Sequence, residues 1–267
     1  MPFNFSGTLV PLHLLVNPRL VVPSIIIKDI RQLEFRELRK AGYKGAVFDK
    51  DNCLTLPHRD QLVPELQDAW EECRVTFGEG NVLIVSNTAG TRLDPGEIQA
   101  ESVTHHLRVP VLRHKNLKPS YACISSIRNY FSSLPTPVKD DELVIIGDRI
   151  FTDVVLANRM SRKMKAQSGA KDTEKTAEEN VTKSSRAGPL SIWTSGVWER
   201  EATGLRLLEK TVMECVKRWI AQSNGVATRG DLSRFVKELP PPPVVEKKGL
   251  LGRWQRISEF WTTIRRD

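Results

Sequence analysis

The chain has 267 residues, 40% of them apolar, enough to fill the core of one full α/β domain with additions. Its 40 basic and 32 acidic residues give a formal charge of +8 and a pI near 9.4, which favours anionic partners (phosphates, nucleic acid or an anionic bilayer) without choosing among them. Cys53, Cys73, Cys123 and Cys215 are far apart with no CxxC pair, so neither a disulfide framework nor a zinc site is indicated, and a reducing compartment is the simplest reading.

Residues 1–27 are rich in Leu, Val, Ile and Pro, with Arg19 the only charge, but Pro11, Pro18 and Pro23 divide the run. A spanning helix needs roughly 20 unbroken apolar residues, and a secretory signal needs a basic start, so neither is expected. No Arg-rich transit peptide is legible either. The segment reads as an arm on a membrane or a partner subunit, through Phe3, Phe5, Leu9, Leu12, Leu14 and Leu15 and then Leu20, Val21, Ile25, Ile26 and Ile27. Packing on its own domain is the alternative. Asp29–Arg39 reads as one short charged helix feeding the first strand.

Four apolar runs follow, each ending in residues suited to phosphoryl chemistry. Ala46–Phe48 leads into Asp49, Lys50 and Asp51; Asn81–Val85 leads into Ser86, Asn87 and Thr88; Val109–His114 leads into Lys118 and Pro119; Leu143–Gly147 leads into Asp148, Arg149 and Asp153. A lone Asp49/Asp51 pair could be a turn and a helix cap. Acids, a hydroxyl, a lysine and a second acidic pair on successive strand ends are a far more specific signal. Between the runs, Pro64–Phe77 places Leu66, Trp70, Cys73 and Phe77 at helical spacing, with Trp70 expected in the core. Asp94, Pro95 and Glu97 predict a capped helix start running to Leu107, and a further helix should follow Pro119 through Phe131. Alternating strands and helices predict an α/β fold with a doubly wound, mainly parallel sheet.

At these residues the chain resembles the haloacid dehalogenase-like hydrolase superfamily, through all four ordered motifs between Gly45 and Met160. The Phe48-Asp49-Lys50-Asp51-Asn52 opening, Lys118-Pro119 and the run from Gly147 to Val154 are similar to the mitochondrial phosphatidylglycerophosphatases of fungi and their bacterial relatives. Cys53 stands where the superfamily usually has Thr or Val. The resemblance implies a Rossmann-like sheet, and the short intervals from Thr55 to Asn81 and from Thr88 to Lys118 leave no room for an inserted cap domain. A capless member is suited to a bulky substrate or one presented at a surface.

The resemblance assigns roles position by position, and the charge requirement of phosphoryl transfer agrees with them. Asp49 is the candidate nucleophile and Asp51 the general acid and base. Lys118 is the third catalytic residue, with Ser86 on a phosphoryl oxygen and Asn87 and Arg149 as further substrate contacts. Magnesium would be held by Asp49, the Asp51 main-chain carbonyl and Asp148, with Asp153 orienting that set or binding directly. Lys50, Arg92, His114 and Lys115 are read as a solvated positive rim. The resemblance implies dephosphorylation of phosphatidylglycerophosphate to phosphatidylglycerol, a cardiolipin precursor, on the matrix face of the mitochondrial inner membrane. A soluble-ester phosphatase and a non-catalytic lipid-binding scaffold are the alternatives. A phospholipid substrate and anionic lipid are the expected partners, with no nucleic acid and a possible homo-oligomer.

The remaining chain divides by composition. Residues 163–188 lack large apolar side chains and read as a flexible insertion in a catalytic domain spanning 43–222, with 1–42 as the arm and short helix. Pro189–Trp193 predicts another strand, and Leu205, Leu208, Val212, Val216 and Trp219 mark the apolar face of an amphipathic helix. Over 223–267, the four-proline run at 240–243 is a stiff spacer. Leu250, Trp254, Ile257, Trp261 and Ile264 then line one side of an amphipathic helix, facing anionic lipid, the domain or a second subunit.

Overall fold

A computed structural model describes residues 17–168, 188–196, 198–199, 203–223 and 232–239. The expectations for residues 3–15, for 169–187 of the insertion, for the four-proline run and for the C-terminal amphipathic helix lie outside these residues. The chain up to Lys237 forms one unit, and a second begins at Glu238.

Five short strands form one sheet: β1 (Ile25–Ile27), β2 (Gly45–Phe48), β3 (Val82–Ile84), β4 (Leu143–Gly147) and β5 (Leu190–Thr194). The order is β1-β5-β4-β2-β3 and every pairing is parallel. β2, β3 and β4 are apolar without alternation because both faces are covered. Ala46, Phe48, Val82, Ile84, Val144 and Ile146 face one core cluster, while Val47, Leu83, Leu143 and Ile145 face another. On the first side lie α1 (Phe35–Lys40), α2 (Gln67–Phe77) and α3 (Ile98–Leu107); on the second lie α4 (Tyr121–Ser132) and α5 (Val155–Ser168). The fold is the expected doubly wound α/β sheet, and no inserted cap domain occurs among the described residues. Trp70 is in the core, with its indole N–H donated to the Leu107 carbonyl at 2.9 Å.

Several expectations need correction. The run Val109–His114 is not a strand: Val111 bridges Ile84 alone, because Pro110 has no N–H to extend the ladder. Asp29–Arg39 is not one helix. The Asp29 carboxylate caps a single turn at Ile30–Gln32, Leu33 leaves to pair with Val236, and α1 starts afresh at Phe35. The helix expected from Asp94 begins only at Ile98, since Gly96 and Glu97 both have positive φ. Asp94 still caps it from a distance, accepting the N–H groups of Gln99 at 2.9 Å and Ala100 at 2.8 Å. Residues 163–168, expected in the flexible insertion, continue α5.

The arm reading fails for residues 20–27. Ile25 and Ile27 are core residues of an internal sheet, and Leu20 and Val21 pack with Phe151, Trp193 and Met213. Asn158 fastens the segment by donating to the Leu20 and Val22 carbonyls. The last described helix, α6 (Thr203–Ser223), buries Glu209, Met213 and Val216. Leu208 and Trp219, expected on the buried face, are 50% and 55% exposed, because the helix turns Glu209 inward to accept the Phe151 N–H. No described helix is long and apolar enough to cross a membrane.

Candidate active site

β2 and β4 are neighbours, and the Asp49 N–H continues their ladder onto the Ile146 carbonyl at 2.9 Å. The next side chains past the ladder, Asp49 and Asp148, therefore emerge together at the carboxyl edge, where open α/β sheets place their ligands. Asp153 joins them from a single π-turn over Ile150–Val154 that closes back on β4. Gly147 makes this approach possible: a Cβ there would fall on the Asp153 carboxylate. One oxygen from each of Asp49, Asp148 and Asp153 lies within 4.8 Å of the others. Asp148 is 1% exposed and Asp153 3%, while Asp49 keeps 9%, so of the three the site opens at Asp49.

Lys118 reaches this cluster from the loop before α4, its ammonium 2.7 Å from Asp49 Oδ1 and 2.8 Å from Asp153 Oδ1. Asn87 fixes that loop: its amide accepts the Lys118 N–H at 2.7 Å and donates to the Lys118 carbonyl at 3.4 Å. Asn87, expected to contact substrate, thus binds the main chain of the lysine. Asp49 Oδ1 also accepts the Lys50 N–H at 2.8 Å, whereas Oδ2 has no hydrogen bond among the described residues. Asp51 Oδ1 accepts the His58 N–H at 3.0 Å, and Oδ2 accepts the Thr88 hydroxyl at 3.1 Å. Ser86 is buried, 2.9 Å from Thr88 Oγ1, and accepts the Thr88 N–H at 3.0 Å. The Arg149 N–H donates to Asp153 Oδ2 at 3.1 Å. The eight residues singled out from the sequence thus fall into two groups: Asp51 with Ser86 through Thr88, and Asp49, Asp148 and Asp153 with Lys118, Asn87 and Arg149. Lys50 joins the two, its N–H meeting Asp49 and its ammonium meeting Asp51.

The electrostatics divide the acids. Burial disfavours the charge on Asp49, but the Lys118 ammonium, the Lys50 N–H and Arg149 outweigh it and hold this carboxyl below its ordinary range. Burial, followed by repulsion from Asp49 and Asp153, pushes Asp148 well up, and Arg206 and Arg149 only partly compensate. Burial and the Asp49 charge likewise raise Asp153 against the pull of Lys118. For Lys118, burial opposes the charge, but Asp153 and Asp49 secure the ammonium form.

These residues fit a divalent cation. The donors are anionic oxygens, as magnesium requires, and buried Asp148 Oδ1 has no hydrogen-bond partner. The raised Asp148 carboxyl marks uncompensated negative charge that a cation would relieve.

Some participants were not legible in the sequence. Lys50, expected on the solvated rim, is fully buried beside Asp51, and His114 is buried with its ring against the Ser86 and Asn116 carbonyls. Arg92 and Lys115 are exposed as expected. Thr88 completes the link from Ser86 to Asp51, and its place two residues after Ser86 is the spacing of a serine-based turn. Arg206 pairs with Asp148 from α6. No pattern in the sequence points to it, because nothing in the spacing of α6 relates it to the strand ends.

A parallel sheet carrying this chemistry at its carboxyl edge defines a phosphatase of the haloacid dehalogenase-like class. The chain belongs to the mitochondrial PGP phosphatase family, whose pattern matches residues 5–169. It is 39% identical over 157 residues to a mitochondrial phosphatidylglycerophosphatase of Saccharomyces cerevisiae, spanning 59% of this chain and 83% of the yeast protein. It is also 39% identical over 144 residues to a chloroplastic phosphatidylglycerophosphate phosphatase of Chlamydomonas reinhardtii, spanning 54% of this chain and 51% of the algal one. A probable phosphatase of Bacillus subtilis is 27% identical over 139 residues, spanning 52% and 72%. No solved structure matches the chain. Everything that builds the acid cluster lies inside the family match, while β5 and Arg206 lie beyond it.

Proposed function

We propose that this enzyme is a magnesium-dependent phosphatase that converts phosphatidylglycerophosphate to phosphatidylglycerol, supplying cardiolipin synthesis from the matrix face of the mitochondrial inner membrane. The observation that carries the substrate is the identity with the yeast phosphatidylglycerophosphatase across most of that protein's length. A lipid surface also suits several exposed side chains. Leu56 and Leu93, on the loops that follow β2 and β3, and Ile98, at the start of α3, are exposed apolar side chains, and Arg59, Arg92 and Lys115 are exposed cations.

In this mechanism Asp49 Oδ2, which has no hydrogen bond among the described residues, attacks the phosphorus in line with the ester oxygen. Lys118 keeps Asp49 ionised and aimed, and offsets charge on the phosphoryl oxygens. Asp51 gives a proton to the departing alcohol and takes one from the water that hydrolyses the aspartyl phosphate. Asp49, the Asp51 carbonyl and Asp148 would hold magnesium, with Asp153 orienting them. When bound, the ion neutralises phosphoryl charge. Ser86 and Arg149 line the phosphate side.

The test is phosphate release from phosphatidylglycerophosphate in anionic vesicles and from soluble phosphate esters, with magnesium or with chelator. Turnover of the lipid that requires magnesium and vanishes in Asp49→Asn is expected. Activity confined to soluble esters would reject the lipid substrate, and full activity of Asp49→Asn would reject the nucleophile.

A further inference from the structure

Lys50 is the one fully buried lysine among the described residues, at 0% exposure, and the proposed mechanism gives it no task. A buried ammonium persists only where its charge is paired and its donors are used. Lys50 Nζ lies 2.7 Å from Asp51 Oδ1, donates to the Arg59 carbonyl at 3.0 Å and stands 3.9 Å from Asp60 Oδ1. It therefore ties the loop over residues 56–62 to the carboxylate at the head of that loop. The same loop returns to Asp51 through the His58 N–H, also on Oδ1, and rejoins the body where the Val63 N–H meets the Leu54 carbonyl.

The two Asp51 oxygens are consequently unequal. Oδ1 is occupied by two donors, one of them charged. Oδ2 meets only the Thr88 hydroxyl, which also lies 2.9 Å from Ser86 Oγ, with either hydroxyl able to donate. The Thr88 hydroxyl can therefore turn its proton between Asp51 Oδ2 and Ser86 Oγ with no movement of heavy atoms.

We propose that Lys50 is a positioning residue for Asp51: by holding Oδ1 and the 56–62 loop, it makes Oδ2 the oxygen that exchanges protons in the reaction. The inference rests on the role given to Asp51 above. As the Asp49–phosphorus bond forms, the phosphorus–ester bond breaks, and its electron pair stays on the ester oxygen. That oxygen takes the proton from Oδ2 and leaves as the alcohol. Water then attacks phosphorus, returns a proton to Oδ2 and breaks the Asp49–phosphorus bond, releasing phosphate.

The test compares two esters on the full-length enzyme with magnesium: phosphatidylglycerophosphate, whose alcohol leaves only with a proton, and p-nitrophenyl phosphate, whose acidic phenol leaves without help. Lys50→Met should lower kcat/KM on the lipid by roughly tenfold or more, part of the 10²–10⁴-fold that acid–base catalysis supplies, with a smaller loss on the aryl ester, because kcat/KM covers only the steps up to departure of the alcohol or phenol. Lys50→Gln serves where Lys50→Met does not fold. Equal losses of kcat/KM on both esters would overturn the proposal and leave Lys50 a structural ion pair. Asp51→Asn separates the two levels: if it too loses equally on both esters, the acid–base role of Asp51 is wrong. A selective loss in Asp51→Asn without one in the Lys50 variants defeats the Lys50 role alone.

Discussion

Asp148 makes the electrostatic state of the site measurable. Its carboxyl is raised well above its ordinary value near 3.8, first by burial and then by Asp49 and Asp153. A carboxyl raised by folding stabilises the fold fully below that ordinary value, and the contribution is lost as pH rises through the folded one. Without metal, the ionised side chain is thus a liability at neutral pH. Asp148→Asn should raise the melting temperature of the metal-free protein at pH 7, and should remove the stabilisation expected of the wild type from the proposed magnesium. By linkage that stabilisation is about 2.7 kcal/mol at a metal concentration of 100 times Kd. Calorimetry with chelator and with magnesium reads both effects. At this scale the acids and Lys118 were legible because their types and order are dictated by phosphoryl charge. The burial of Lys50 and the reach of Arg206 were not, since both depend on which surfaces a loop and a distant helix happen to cover.

Among the elements, α3 shows how one side chain sets a boundary. Asp94 accepts the N–H groups of Gly90, Gln99 and Ala100, holding the loop after β3 and the first turn of α3 on one carboxylate. Burial works against its charge, but the three donors together bring the carboxyl below its ordinary value near 3.8. This contribution is present above that value and is lost as pH falls through the lower folded one. Asp94→Ala should cost about 2 kcal/mol at neutral pH, the expense of leaving buried donors unpaired, and the gap to wild type should narrow in acid. Denaturant unfolding at pH 7 and below pH 4 checks both. The cap was legible in the sequence; the delayed start was not, because it depends on Gly96 and Glu97 taking positive φ. The misjudged face of α6 has a similar cause. Periodicity counts apolar residues, whereas the inward position of Glu209 is decided by one main-chain donor at Phe151.

For the whole molecule, net charge governs how salt should act on the proposed lipid substrate. With a formal charge of +8, attraction to anionic vesicles should be strong at low salt and should fade as the Debye length shrinks from about 10 Å at 0.1 M to 3 Å at 1 M. Turnover on vesicles should therefore drop with added salt far more steeply than turnover on a soluble ester, and equal sensitivity would count against the proposed lipid-surface substrate. The architecture was legible as a whole, since four of the five strands announce themselves as apolar runs. β1 did not: Ile25–Ile27 reads as sticky tail because its partner, β5, is remote in the chain. That pairing bears on biogenesis. A ribosome delivers β1 well before β5, so the edge strand must stay unpaired while β2, β3 and β4 are already available to one another. The nascent protein would gain its finished sheet only once β5 had emerged, and until then Ile25–Ile27 would be open to chaperones.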